Sequence, residues 1–235
     1  MAHEIKHLQW DSDFFGMKIG QIVLNSLNNL SVLLTEAQNS GYQLIYVFCI
    51  EKLEIDAETL EHFNGKLVDR KLLYEKKIET VKEPLSIVSE YKSNFLTEEL
   101  EQLAYESGNF SRFKSDNNFK EEDFNNLYKT WVLNSIKHQI ADHVFVAKEN
   151  DQIKGMVTLK INKKDGQIGL MAVSPDAQGK GYGKSLISAC EKKLSEIKIP
   201  KLEVPTQFNN KQACMFYEKC GFHIKSAINI YHFWL

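Results

Sequence analysis

The apolar positions of the first ninety residues change period several times. Lys18–Leu24 alternates as a half-buried strand does, and Leu44–Ile50 is an unbroken apolar run of strand length. The spacing over Leu30 to Asn39 predicts a helix stopped at Ser40-Gly41, and Ala57–Phe63 a shorter helix ended by Asn64-Gly65. Residues 67–81 read as one or two strands, and the aromatic stretch Gln9 to Gly16 (QWDSDFFG) reads as a turn. Pro84 marks a boundary and 91–95 the expected junction. The expectation is a small α/β domain over 1–92 and a second domain over 93–235.

From Thr97 onward the pattern is first helical. Thr97 is a capping residue ahead of Glu98 and Glu99, and Ser107 to Asn118 (SGNFSRFKSDNN) reads as a loop. Apolar positions from Phe124 to Ile140 then recur along one helical face. Val144–Lys148, Ile153–Ile161 and Gln167–Val173 predict an antiparallel meander, followed by a helix at Gly181 to Glu196 and a strand at Lys201–Pro205. A helix at Lys211–Lys219 and a strand pair, Phe222–Lys225 with Asn229–Leu235, close the chain. This order predicts an α+β fold, a mixed and mostly antiparallel sheet with one parallel crossover.

Composition narrows the chemistry. A net charge of −2 gives no basic field for a long nucleic acid or an anionic membrane, and the longest apolar run, seven residues, is too short to span a bilayer. No apolar stretch follows a basic start at the N-terminus, so the expected setting is the cytoplasm. Cys49, Cys190, Cys214 and Cys220 form no C-x-x-C pair and the seven histidines are scattered, so free thiols and no metal are expected. Only Arg70 and Arg112 accompany 27 lysines, which draws attention to positions where a forked donor is kept.

The most specific stretch is Val173-Ser-Pro-Asp-Ala-Gln178-Gly179-Lys180-Gly181-Tyr182-Gly183-Lys184. A strand ends, glycines follow and a helix begins, which gathers free backbone N–H groups at the positive end of a helix dipole, a setting suited to a pyrophosphate. Gly181 and Gly183 remove Cβ atoms there, while Lys180 and Lys184 add charge. About 25 residues on lies Asn210-Lys-Gln-Ala213-Cys-Met-Phe-Tyr217-Glu-Lys-Cys-Gly221-Phe222. Together the two segments resemble the GNAT (Gcn5-related N-acetyltransferase) superfamily. Gln178, Gly181 and Gly183 match its Q/R-x-x-G-x-G/A motif, and Asn210, Ala213, Tyr217, Gly221 and Phe222 match its N-x-x-A-x-x-x-Y-x-x-x-G-F element.

The resemblance, covering about residues 93–235, implies an acetyl-CoA-dependent N-acetyltransferase. Gln178, Gly179, Lys180, Gly181, Tyr182, Gly183 and Lys184 would hold the pyrophosphate through their amides. Met171, Ala172 and Val173 would run beside the pantetheine arm where their strand splays from Lys201–Pro205. Asn210 would bond the pantetheine region, and Tyr217 would give a proton to the departing thiolate. Such a transfer needs no enzyme nucleophile, only a neutral amine, a fixed approach and a place for two charges.

Trp10-Asp-Ser-Asp-Phe-Phe-Gly16, the Ser111-Arg112-Phe113 segment and the small leading domain resemble the bacterial dTDP-fucosamine acetyltransferases, which N-acetylate dTDP-4-amino-4,6-dideoxygalactose for surface glycans. That likeness implies a small nucleotide-sugar acceptor and leaves a homodimer as a candidate assembly. Arg112 could fork onto a diphosphate while Phe113 or Trp131 stacks on base or sugar. The alternatives for these residues are a surface ion pair and core packing. Trp10, Phe14 and Phe15 are expected at the seam between domains. His143, Glu203 and His232 are conceivable general bases, and none is assigned. Other expectations left open are a different small-molecule amine and a non-catalytic acyl-CoA sensor.

Overall fold

A computed structural model describes residues 4–79 and 81–235. Residues 1–3 of the expected first domain and residue 80 in the expected strand 67–81 lie outside the described residues. In chain order the elements are β1 (Lys6–His7), α1 (Gln9–Phe15), β2 (Ile19–Leu24), α2 (Leu30–Asn39), β3 (Leu44–Ile50), α3 (Ala57–His62), β4 (Gly65–Lys77) and β5 (Val88–Glu90). Then come α4 (Glu98–Gly108), α5 (Arg112–Ser115), α6 (Glu121–Ile136), β6 (His143–Glu149), β7 (Gln152–Ile161) and β8 (Gly166–Val173). The chain closes with α7 (Tyr182–Glu196), β9 (Lys201–Gln207), α8 (Lys211–Lys219) and β10 (His223–Trp234). Two compact units result.

The first unit takes residues up to Leu72 together with 207–209 and 226–235. Strand β2 runs parallel to β3, from Ile19↔Leu44 to Leu24↔Cys49, with α2 as the crossover. On its other side β3 meets β10 antiparallel, from Trp234↔Leu44 to Ile228↔Ile50. Paired on both edges, Leu44–Ile50 is an interior strand, which is why its sequence is apolar without alternation. Leu30, Leu33, Leu34 and Ala37 of α2 bury their face in the same core as Val47 and Phe233. The aromatic opening stretch is a helix rather than a turn, closed by Gly16 in the left-handed region. Its Trp10 is 46% exposed and stacks on Phe14 with ring centroids 5.0 Å apart.

The second unit takes 73–206 and 210–225. Its strand order is β4-β9-β8-β7-β6-β5; β5 to β8 form an antiparallel meander, and β8 lies parallel to β9. Helix α7 packs on β5 to β8, and α4 on β7, β8 and α6. The Thr97 hydroxyl accepts from Leu100 N–H and caps α4 as its sequence predicts. Gly108 lets α4 approach α6: a Cβ there would stand 2.3 Å from the Tyr128 ring.

Further elements differ from expectation or refine it. The loop 107–118 contains the short helix α5, and α6 stops at Ile136, short of Ile140. Residues 67–77 lie in one strand, β4. The expected terminal strand pair is one continuous strand, β10, because His223 to Trp234 contains no glycine, proline or turn dipeptide to reverse it. Its residues 226–234 belong with the first unit, and β4 also supplies both units, so the compact units do not divide the chain at residue 92.

Candidate active site

Strand β8 departs from β9 almost at once. Their parallel register comprises Gly166↔Leu202 and Gln167↔Glu203. The next residues are irregular: two steps along β7, Val157 to Leu159, face three along β8, Met171 to Ile168. The extra residue is a β-bulge, and Thr158 Oγ1 accepts the Leu170 N–H at 2.8 Å within it. Such a bulge bends a strand, and here it follows directly on the last β8–β9 pair. Ser174 N–H also turns to β7, donating to Lys154 C=O at 2.8 Å. By the alternation of backbone groups, Ala172 faces β7 as well, while the N–H groups of Met171 and Val173 face the side from which β9 departs. Of the three residues expected along the donor arm, Ala172 therefore has its backbone engaged by β7.

A single 3₁₀ turn, Pro175–Ala177, leads into the glycine turn. Gly179 and Gly181 have φ of 80° and 85°, which an L side chain resists, and nothing lies within 4 Å of where their Cβ atoms would stand. Gly181 caps α7 without a side-chain bond, so the first N–H groups of that helix keep no side-chain acceptor at the cap. Gly183 also has a packing part: its Cβ would stand 3.0 Å from the Phe216 ring, so its smallness seats α8 against the start of α7. Gln178 Nε2 donates to Val173 C=O at 3.3 Å and its Oε1 accepts from Gln212 Nε2 at 3.1 Å, tying the turn to α8. Lys180 is engaged by Glu149, with Nζ at 2.9 and 2.8 Å from the two carboxylate oxygens, and Lys184 is exposed.

Helix α8 carries the remaining family positions. Asn210 Oδ1 accepts the Ala213 N–H at 3.0 Å and caps the helix, which commits that oxygen to the cap. One face of α8 buries Cys214 and Tyr217. The Tyr217 hydroxyl lies 3.9 Å from Met171 Sδ, which places the phenol beside the part of β8 that leaves β9. Tyr217 is 6% exposed; burial foremost, then Cys220, Cys214 and Cys190, push its phenol well above the usual range and keep it protonated. Tyr74 of β4 sits 6.0 Å away, ring to ring, and its hydroxyl donates to Glu218 at 2.9 Å. Tyr74, Glu149 and Gln212 are missing from the sequence expectation. Nothing local marks Tyr74, and Glu149 reads only as part of a hairpin turn.

The expected acceptor residues are built into an aromatic cluster. Phe113 is 6% exposed, edge-on to Phe119 at 5.3 Å and to Trp131 at 6.1 Å, and Trp131 is edge-on to Tyr128 at 4.9 Å. Packing thus uses most of the Phe113 ring, while Trp131 stays partly exposed and the Arg112 guanidinium lies 4.6 Å over the Phe113 ring. Among the conceivable bases, His143 meets Glu90, Glu203 is buried against Lys225, and His232 is wholly buried beside the Tyr46 ring in the first unit. All four cysteines are free thiols, and desolvation raises the Cys49 thiol to about 11. Among the described residues no helix is long and apolar enough to cross a membrane.

A pyrophosphate-bearing thioester fits this arrangement, since the open glycine turn, the diverging strands and the protonated phenol lie in one unit. Comparison with known proteins gives the family and the fold. The spore coat polysaccharide biosynthesis protein SpsD of Bacillus subtilis is 27% identical over 138 residues, 59% of this chain and 47% of its own length. The chain thus spans about half the length of that relative. N-alpha-acetyltransferase 30 of Schizosaccharomyces pombe is 26% identical over 107 residues, 43% of this chain and 71% of that protein. An acetyltransferase of Yersinia pestis is 32% identical over 83 residues, 35% of this chain and 59% of that protein. Among solved structures, a functionally unknown protein from Staphylococcus epidermidis superposes with a TM-score of 0.62 at 14% identity, covering 93% of this chain and 84% of that one. A GCN5-related N-acetyltransferase from Sphaerobacter thermophilus gives 0.54 at 11%, covering 91% and 72%. At those identities the likeness is one of fold. The acetyltransferase (GNAT) family matches residues 98–222, more than half of the chain, and the protein therefore belongs to that family.

Proposed function

We propose that the protein acetylates the amine of a dTDP-linked 4-amino-4,6-dideoxy sugar by direct transfer, in the cytoplasm, for surface-glycan synthesis. The observation that carries the transfer is the Tyr217 hydroxyl, held protonated and 3.9 Å from Met171 Sδ beside the diverging strands. Acetyl-CoA supplies an activated thioester. The turn 178–184 holds its diphosphate through backbone N–H groups, and Met171 and Val173 hold its arm through theirs. A backbone N–H on β8 stabilises negative charge as it develops on the carbonyl oxygen. Tyr217 donates its proton toward the sulfur that leaves, and desolvation that raises the phenol also raises the basicity of a thiolate beside it.

For the acceptor, support comes from the Trp10–Gly16 and Ser111–Phe113 segments and from a relative that takes part in making a spore coat polysaccharide. Arg112 is the residue proposed to meet the acceptor diphosphate, with the partly exposed Trp131 beside it and Phe113 as the ring that supports the guanidinium. The protein is incubated with acetyl-CoA and a panel of nucleotide-linked amino sugars, free amino sugars, aminoglycosides and N-terminal peptides, while thiol release is followed. Turnover on the dTDP-4-amino sugar at least about tenfold above every other amine supports the reading. Reaction confined to free amines or peptides overturns the sugar-nucleotide acceptor and leaves the acetyltransferase.

A further inference from the structure

The donor turn carries an unexpected carboxylate. Glu149, the last residue of β6, holds Lys180 through both oxygens, and burial foremost, then the same carboxylate, raises the Tyr182 phenol above its usual range. Lys180 directly precedes Gly181, so one side chain from the β6–β7 hairpin grips the turn next to its second left-handed glycine. The other end of the loop is tied to the same hairpin: Lys154 Nζ lies 2.7 Å from Asp176, and Lys154 C=O accepts the Ser174 N–H. Glycines have the most conformational freedom to lose, and Gly-Lys-Gly is the stretch least able to hold its own shape. Lys184, one turn into α7, is in no ion pair among the described residues.

We propose a division of labour between the two lysines: Glu149 and Lys180 form a staple that keeps the donor turn in shape, and Lys184 supplies the side-chain charge that meets the donor's phosphates. This rests on acetyl-CoA lying at the turn. An exposed ion pair ordinarily contributes little to stability. Here its effect is local, since it restrains a segment that must otherwise be ordered each time a donor binds.

The test measures acetyl-CoA KM, kcat and CoA binding heat across a salt series for Lys180→Met, Glu149→Gln, the double variant, the charge swap Glu149→Lys with Lys180→Glu, and Lys184→Met. Lys180→Met and Glu149→Gln should each raise the donor KM about three- to tenfold, the double variant no further, with kcat and acceptor KM within about twofold. The charge swap should restore most of the loss. Lys184→Met should weaken binding and flatten its salt dependence, which the double variant, unchanged in net charge, should not. An unaltered donor KM in Glu149→Gln, additive losses in the double variant, or a flattened salt dependence in Lys180→Met with a steep one in Lys184→Met overturns the staple. Wild-type protein giving no heat with CoA overturns instead the placement of the donor on this turn, and the staple's role with it.

Discussion

At residues 178–184 the chain offers its backbone: two left-handed glycines with open space around them and a helix start whose cap has no side-chain bond. At residues 111–131 it offers side chains, and most of those are spent on one another, Phe113 against Phe119 and Trp131, Trp131 against Tyr128. Both regions lie in the second unit, and both were expected to bind phosphates. Under the proposed function, the backbone cradle would meet the diphosphate that all acyl-CoA donors share. An aromatic cluster with one guanidinium over it can be re-cut by small changes in packing, which would suit the acceptor side of the proposed reaction.

That contrast can be broken by experiment. Tyr217→Phe removes the proton but little volume, and kcat should fall about 10²- to 10⁴-fold while CoA still binds by calorimetry; unchanged turnover would remove Tyr217 from the chemistry. Gly181→Val forces a β-branched residue to φ 85°, at a cost of about 1–2 kcal/mol or more, and should raise donor KM about tenfold with acceptor KM unchanged. The mirror image is Arg112→Ala, which should raise acceptor KM about tenfold and leave donor KM within about twofold. Losses on both sides for either variant would mean that the two regions are not separable. The raised Tyr217 phenol also has a pH consequence. A group whose pKa lies well above its usual value keeps its proton through pH 10, so kcat should show no falling limb below that pH that disappears in Tyr217→Phe. The smallest effect is Thr97→Ala, which loses the α4 cap and should cost about 1 kcal/mol in urea unfolding with both KM values unchanged.

What could be read in the sequence follows the range of the interactions. The turn is legible because its rule is local: glycines at fixed offsets between a strand and an amphipathic helix. So is the Thr97 cap, three residues from the N–H it accepts. Glu149 lies 31 residues from Lys180 and Tyr74 lies 144 from Glu218, and no pattern along the chain joins either pair. The packing part of Gly183 was not legible, since Phe216 reaches it only once α8 is in place. Phe113 and Trp131 carry equal promise as stacking platforms in sequence; packing decides that one is covered. The expected reversal near residue 226 failed for a local reason, since a run of residues suited to strands was split without a turn residue to split it.

Strand β10 has a consequence for how the protein comes into being. The partner that pairs with one edge of β3 is encoded more than 170 residues after it. Until residues 226–235 leave the ribosome, the seven-residue run Leu44–Ile50 has that edge bare, an apolar template for pairing with other nascent chains. The first unit is therefore the last to be finished, and a fragment cut at residue 92 should be sticky and poorly folded when made alone.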